Sequence, residues 1–131
     1  MEIKDRILNA MKELAGKKGF HAVTTDELAA AGGVSKRTLY RYFASKDEII
    51  EAVLNDLITG VERRVQSIVA GDAAPTDKLR GIVGAVLEGI SFIEPRNLGD
   101  LQRYYPRLWE KIERFRANRV TLFKEVYLKG C

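Results

Sequence analysis

Lys36, Arg37, Arg41 and Lys46 fall within a stretch that contains no Asp or Glu, interleaved with Thr38, Tyr40, Tyr42 and Ser45. Cations alternating with hydroxyls are the side chains that hold phosphate oxygens and read base edges, because both present hydrogen-bond donors and the cations add charge. The chemistry this run supports is nucleic-acid binding. Catalytic side chains are scarce by comparison. His21 is the only histidine, and Cys131, at the last position, is the only cysteine. There is accordingly no nucleophile-base pair, no cysteine-rich metal site and no intramolecular disulfide, and His21 has no second metal ligand nearby. No glycine loop of the phosphate-cradling kind occurs, and Glu88 and Glu94 read as solvated acids on a helix face. Neither a cofactor nor a metal is expected, and the chain is expected not to be an enzyme.

The elements that must position these cations can be read from caps. Thr24 precedes Glu27 by three residues, the spacing at which hydroxyl and carboxylate reciprocally satisfy the free donors of a helix start. A short helix therefore starts at about Thr25 and runs to Ala31, where Gly32 and Gly33 allow positive φ. Ser35 caps a second short helix that turns Lys36, Arg37, Thr38, Tyr40 and Arg41 outward and keeps Val34, Leu39 and Phe43 inward. Ser45 and Glu48 repeat the capping-box spacing and open a third helix. Two short helices joined by a glycine turn, with the small Ala29 facing the second, make a helix-turn-helix whose second helix enters a DNA major groove N-terminus first. Lys36, Arg37 and Thr38 occupy its exposed first turn and are expected to read base edges, with Arg37 bidentate to guanine.

The stretch Val23 to Ile50 resembles the TetR family of bacterial transcriptional regulators. The residues that carry the resemblance are Gly19-Phe20, Thr24, Leu28-Ala29, Gly32-Gly33-Val34-Ser35, Thr38-Leu39-Tyr40, Tyr42-Phe43 and Ser45-Lys46-Asp47, and it extends over roughly Ile3 to Leu54. Two positions depart from the family pattern. Gly32 replaces the more usual alanine, at a helix cost of about 1 kcal/mol, and Arg37 stands where many members have glycine, adding a long cation to the reading face. The resemblance implies a ligand-responsive repressor that binds a palindromic double-stranded operator as a homodimer. It also implies that Thr25, Tyr40, Tyr42 and Lys46 grip the sugar-phosphate backbone, beside Ser35 and Arg41.

Composition limits the alternatives. The 131 residues are 46% apolar and 31% charged, which suits a helical globular chain and argues against disorder. The net charge of +4 is divided evenly, with nine Lys and Arg against seven acids in residues 1–48 and thirteen against eleven in 49–131. Placement of charge, not its total, thus carries the DNA reading. No apolar run approaches a membrane span, and the N-terminus lacks the apolar core of a signal peptide, so a cytoplasmic protein without membrane contact is expected.

The expected fold is all-α: a three-helix head, residues 1–48, joined by a long fourth helix to a helical ligand-binding and dimerisation body, residues 49–131. Ile3, Ile7, Ala10, Met11, Leu14 and Ala15 mark an amphipathic first helix from about residue 3 to 18, held over the head by Phe20 and Val23. The helix opened by Ser45 stays periodic to Val69 and stops near Gly71, about 26 residues or roughly 39 Å, too long for the head alone. Thr76 and Asp77 are expected to begin a fifth helix and Pro95 to end it, with Gly81, Gly84 and Gly89 allowing close approach of a neighbour. A short helix from Leu98 to Tyr104 and a long one from Leu108 to Leu128 are expected to follow. Ile58, Val86, Phe92, Tyr104, Trp109 and Phe115 are expected to border an apolar space for an unidentified small-molecule effector. The family has two further helices after the seventh that build its dimer interface, and this chain is expected to lack them. A helical interaction module without operator binding and a small all-helical enzyme are the competing readings.

Overall fold

The computed structural model describes residues 2–90, 95–114 and 117. Every regular element among them is a helix: α1 (Ile3–Lys18), α2 (Thr25–Gly32), α3 (Lys36–Tyr42), α4 (Lys46–Ala70), α5 (Pro75–Ile90), α6 (Pro95–Tyr104) and α7, followed over residues 106–114. The fold is the all-α arrangement expected, a helix-turn-helix head joined by the long α4 to a helical body.

The caps act as their residue types dictate. Thr24 Oγ1 accepts from the Glu27 amide at 3.1 Å, and the Glu27 carboxylate accepts from the Thr24 amide at 3.1 Å, closing the capping box of α2. Gly33 ends α2 in the left-handed region, φ 68°, where glycine has no Cβ to clash. Ser35 Oγ accepts from the Thr38 amide at 3.0 Å to start α3. At α4 the box is modified: Ser45 Oγ accepts from the Glu48 amide at 3.3 Å, but the Glu48 carboxylate takes the Ala44 amide, at 2.7 Å.

Pro75, Pro95 and Pro106 each occupy the first position of a helix. Proline fits there because its fixed φ is already helical and the amide it lacks would have had no intrahelical partner. Pro95 therefore starts α6, where it was expected to terminate the fifth helix, and α6 begins three residues before Leu98. By the same effect α5 begins at Pro75, with Thr76 and Asp77 inside its first turn. The surroundings of Gly89, and the helix expected to continue to Leu128, from residue 118 on, lie outside what the structure describes.

Two apolar cores form. The larger joins Ile7, Leu8 and Met11 of α1 to Phe20, Val23, Leu28, Leu39 and Phe43, and then to Ile49, Ile50, Val53 and Leu54 of α4. It continues into Leu101 and Tyr105 and into Leu108 and Ile112 of α7. Phe20 and Val23 are fully buried, so the loop after α1 is pinned as expected. The smaller core packs Val61 and Val65 of α4 against Ile82 and Ala85 of α5, and Ile58 touches both. At about 1.5–3 kcal/mol per fully buried aliphatic side chain, the larger cluster is the main stabilising unit. It unites α6 and the start of α7 with the head, although the sequence division at residue 48 assigns them to the body. Gly81 does allow close packing, since a Cβ there would meet Ile68 at 3.2 Å; one at Gly84 would meet nothing within 4 Å among the described residues.

Candidate nucleic-acid interface

Leu39 is fully buried on the inner face of α3 and fixes which side faces out. Lys36, Arg37, Tyr40 and Arg41 are consequently exposed together, with Ser35 at the N-cap and Thr38 half-buried beside it. Thr38 is tied to the cap, its hydroxyl accepting from Ser35 Oγ at 3.0 Å. Tyr40 and Tyr42 are large side chains left 45% and 46% exposed, a surface that packing alone does not explain and that suits contact with a partner. Tyr42 does not pack beneath the recognition helix. The Tyr40 hydroxyl donates to Thr25 Oγ1 at 3.3 Å, joining the start of α2 to α3 in one outward edge.

The turn between α2 and α3 is braced from α1. Arg6 Nη2 donates to the Gly33 carbonyl at 2.9 Å, capping the negative end of α2. Lys18 pairs with Glu27, and that hydrogen bond, followed by the Thr24 amide, holds the Glu27 carboxyl below its ordinary range. Asp26, in the first turn of α2, lies 3.2 Å from Lys36 Nζ.

Lys46 is placed differently from the cations of α3. Its half-buried ammonium donates to the His21 carbonyl at 2.9 Å and lies 5.9 Å from the centre of the Tyr105 ring. Burial lowers its pKa, against the opposing pull of Asp100, Asp47 and Glu27; burial first, then Asp47 and Asp100, raises that of Tyr105. Lys46 therefore binds α4 to the loop after α1 with one of its three N–H donors. His21 lies over α6, its ring stacked on Tyr104 at 3.6 Å and 8° and its amide donating to Asp100 Oδ2 at 3.0 Å.

The residues expected around an effector are dispersed. Ile58 bridges the two cores, Val86 packs on the smaller and Trp109 on the larger. Tyr104, stacked on His21, belongs to the head's surface, which corrects its assignment to that lining. Phe92 and Phe115 lie outside the described residues. Arg6, Asp26 and Asn97 were not singled out in the sequence. Each acts on a partner remote in the chain, and such pairing leaves no periodic signal.

Residues 7–53 match the model of the bacterial regulatory proteins of the tetR family. The chain belongs to the TetR family. The matched range stops within α4 at Val53, where the helix is still inside the head's core. Among curated TetR-family relatives, the uncharacterized HTH-type transcriptional regulator YvaF of Bacillus subtilis is 32% identical over 84% of this chain and 58% of its own length. The HTH-type transcriptional repressor KstR2 of Mycolicibacterium smegmatis is 30% identical over 66% of this chain and 42% of its own length. This chain thus spans about half the length of these relatives. Among solved structures, the ketosteroid transcriptional regulator KstR2 of Mycobacterium tuberculosis superposes with a TM-score of 0.81 at 22% identity, over 98% of this chain and 68% of that one. The TetR family transcriptional regulator PfmR from Thermus thermophilus gives 0.78 at 24%, over 96% and 70%. At these identities the likeness establishes the fold.

Proposed function

We propose that this TetR-family chain is a sequence-specific DNA-binding transcriptional regulator that reads its operator through the first turn of α3. The observation that carries the reading is the outward face of α3, where Lys36, Arg37 and Arg41 stand exposed on a helix without an acid, anchored by the buried Leu39. Lys36, Arg37 and Thr38 approach base edges. Thr25, Ser35, Tyr40, Arg41, Tyr42 and Lys46 hold the sugar-phosphate backbone, Lys46 through the N–H donors that the His21 carbonyl does not take. The relatives carry names of regulators, a repressor among them and also an activator, FasR of Mycolicibacterium smegmatis.

The working species is a homodimer on a palindromic operator, because a single head offers one recognition helix and two heads about 34 Å apart address successive major grooves. Its setting is the cytoplasm; no helix among the described residues is long and apolar enough to cross a membrane. A small molecule bound in the body acts as effector, and by linkage it must favour one arrangement of the heads by the free energy it removes from operator binding. No catalytic step is part of this function.

Selection of duplexes from a randomised pool, by the native chain and by Arg37→Ala, tests the reading. Arg37 bidentate to guanine contributes about 1–3 kcal/mol of discrimination, so Arg37→Ala should relax preference at one position and leave the others. Uniform weakening with unchanged preference would show that Arg37 touches phosphate alone, and a native chain without any preference would refute operator reading.

A further inference from the structure

We propose that Asp26 sets the specificity of the recognition helix by holding Lys36 away from phosphate. The inference rests on the DNA reading assigned to α3 above. Asp26 Oδ1 lies 3.2 Å from Lys36 Nζ, and both side chains are open to solvent. Of the three cations on α3, Lys36 is the one with a carboxylate partner among the described residues. Asp26 adjoins Thr25, whose hydroxyl is bonded to Tyr40, so the carboxylate sits on the same outward edge as the reading helix.

An acid on a surface that meets DNA repels phosphate, and so its presence there calls for a reason. Stabilising the start of α2 is not sufficient. Glu27 already supplies an acid in the same turn and also closes the capping box. What Asp26 adds is the cancellation of one ammonium. A free Lys36 would contact phosphate whatever the sequence, and such contacts raise non-specific binding at every site in competition with the operator. Held by Asp26, Lys36 contributes less to that background, and of the two first-turn cations that approach base edges Arg37 is the one with no ion-pair or hydrogen-bond partner among the described residues. Asp26 thereby acts against wrong partners more than for the right one.

The test compares the full chain with Asp26→Asn, a nearly isosteric change at an exposed position. Two duplexes serve as probes: one selected by the native chain from a randomised pool, and one of scrambled sequence. Binding of each is followed by fluorescence anisotropy through a salt series. Asp26→Asn should bind the scrambled duplex about fivefold more tightly per head at physiological salt, and should steepen the dependence of log K on log salt by about 0.9 per head, the effect of one added phosphate contact. The ratio of selected to scrambled affinity should fall. In a Lys36→Ala background the gain should vanish, since the released ammonium is its source. A merely structural Asp26 would lower the melting temperature without strengthening DNA binding, and that result overturns the proposal. So does a gain of equal size in the Lys36→Ala background, which assigns the effect to bulk repulsion. A selective native chain with an indifferent Asp26→Asn refutes this proposal alone, whereas a native chain that binds both duplexes equally removes the DNA reading of α3 and this proposal together.

Discussion

Replacing Asn97 by leucine should remove a large part of the stability of this fold. Asn97 is fully buried, the one buried polar side chain among the described residues. Its Oδ1 accepts from the Phe20 amide at 2.9 Å, and its Nδ2 donates to the Ala15 carbonyl at 3.2 Å. One side chain of α6 thus takes the amide of the loop after α1 and adds a second donor to the Ala15 carbonyl, which already accepts from the Gly19 amide at 2.9 Å. Leucine has a similar volume and opens no cavity, but it leaves the buried Phe20 amide without its partner and the Ala15 carbonyl with one donor in place of two. At about 1–3 kcal/mol for the unsatisfied amide and about 0.5–1.5 kcal/mol for the second bond, the expected loss is about 1.5–4.5 kcal/mol. A domain of this size is stable by only about 5–15 kcal/mol. Arg96→Ala supplies the comparison. Arg96 Nη1 donates to the Lys17 carbonyl at 2.9 Å at the exposed edge of the same junction, where water can replace it, so its removal should cost about 1 kcal/mol or less. Urea unfolding followed by circular dichroism measures both. A loss below about 1 kcal/mol for Asn97→Leu, or one equal to that of Arg96→Ala, would refute the reasoning that burial makes this pair of bonds costly to lose.

Two further perturbations probe local geometry and charge. Gly19→Ala should destabilise by at least about 1–3 kcal/mol, since φ is 85° with ψ 153° and an added Cβ would stand 2.7 Å from Asp100 Oδ2; Gly84→Ala, within α5 and with no described residue within 4 Å of the added Cβ, should instead stabilise by about 0.5–1 kcal/mol, and thermal melts that fail to separate the two in sign contradict the packing described. Glu27 has a lowered pKa when folded, so its contribution to stability is complete above the ordinary carboxylate range and is lost as pH falls through the lowered value; Glu27→Gln should therefore flatten the acid side of the stability profile, and an unchanged profile would show that Lys18 and Thr24 do not hold the carboxylate.

The head was legible because local chemistry specifies it. Thr24 with Glu27, Ser35 before a basic helix, and Gly32-Gly33 each act within one turn of chain, and the structure forms them at the expected places. The length of α4 followed from unbroken periodicity between Ser45 and Gly71, and its burial follows the expected division, first turns in the head's core and later ones in another. Proline was the ambiguous signal. It stops one helix and opens the next with equal competence, and Pro95 exercises the second capacity. The docking of α6 was not legible at all. Asn97, Asp100 and Tyr104 read as ordinary polar or aromatic positions, and their partners lie some eighty residues earlier in the chain. Shorter separations, ten residues for Asp26 and Lys36 and 27 for Arg6 and Gly33, hide that ion pair and that brace equally well, because both depend on tertiary placement.

The position of α6 changes what counts as the head. A division at residue 48 treats α4 as the sole bridge between the helix-turn-helix and the body. In the structure the loop after α1 is held from both sides: Lys46 at the start of α4 donates to the His21 carbonyl, and Asp100 on α6 accepts from the His21 amide. Leu101, Tyr105 and Leu108 then bury themselves against the same core that supports Leu39 beneath the recognition helix. Movement of α4 relative to α3 accordingly cannot proceed as a free hinge at Ser45. It must either slide past α6, which stays bonded to the end of α1, or carry α6 away and break the bonds that Asn97, Arg96 and Asp100 make there, of which the buried pair at Asn97 is the costliest. Gly19 enforces the contact, because any side chain there would press on Arg96 and Asp100. The unit that carries α3 is therefore α1 to α3 with the first turns of α4 and α6, and it is held by one core and one buried amide.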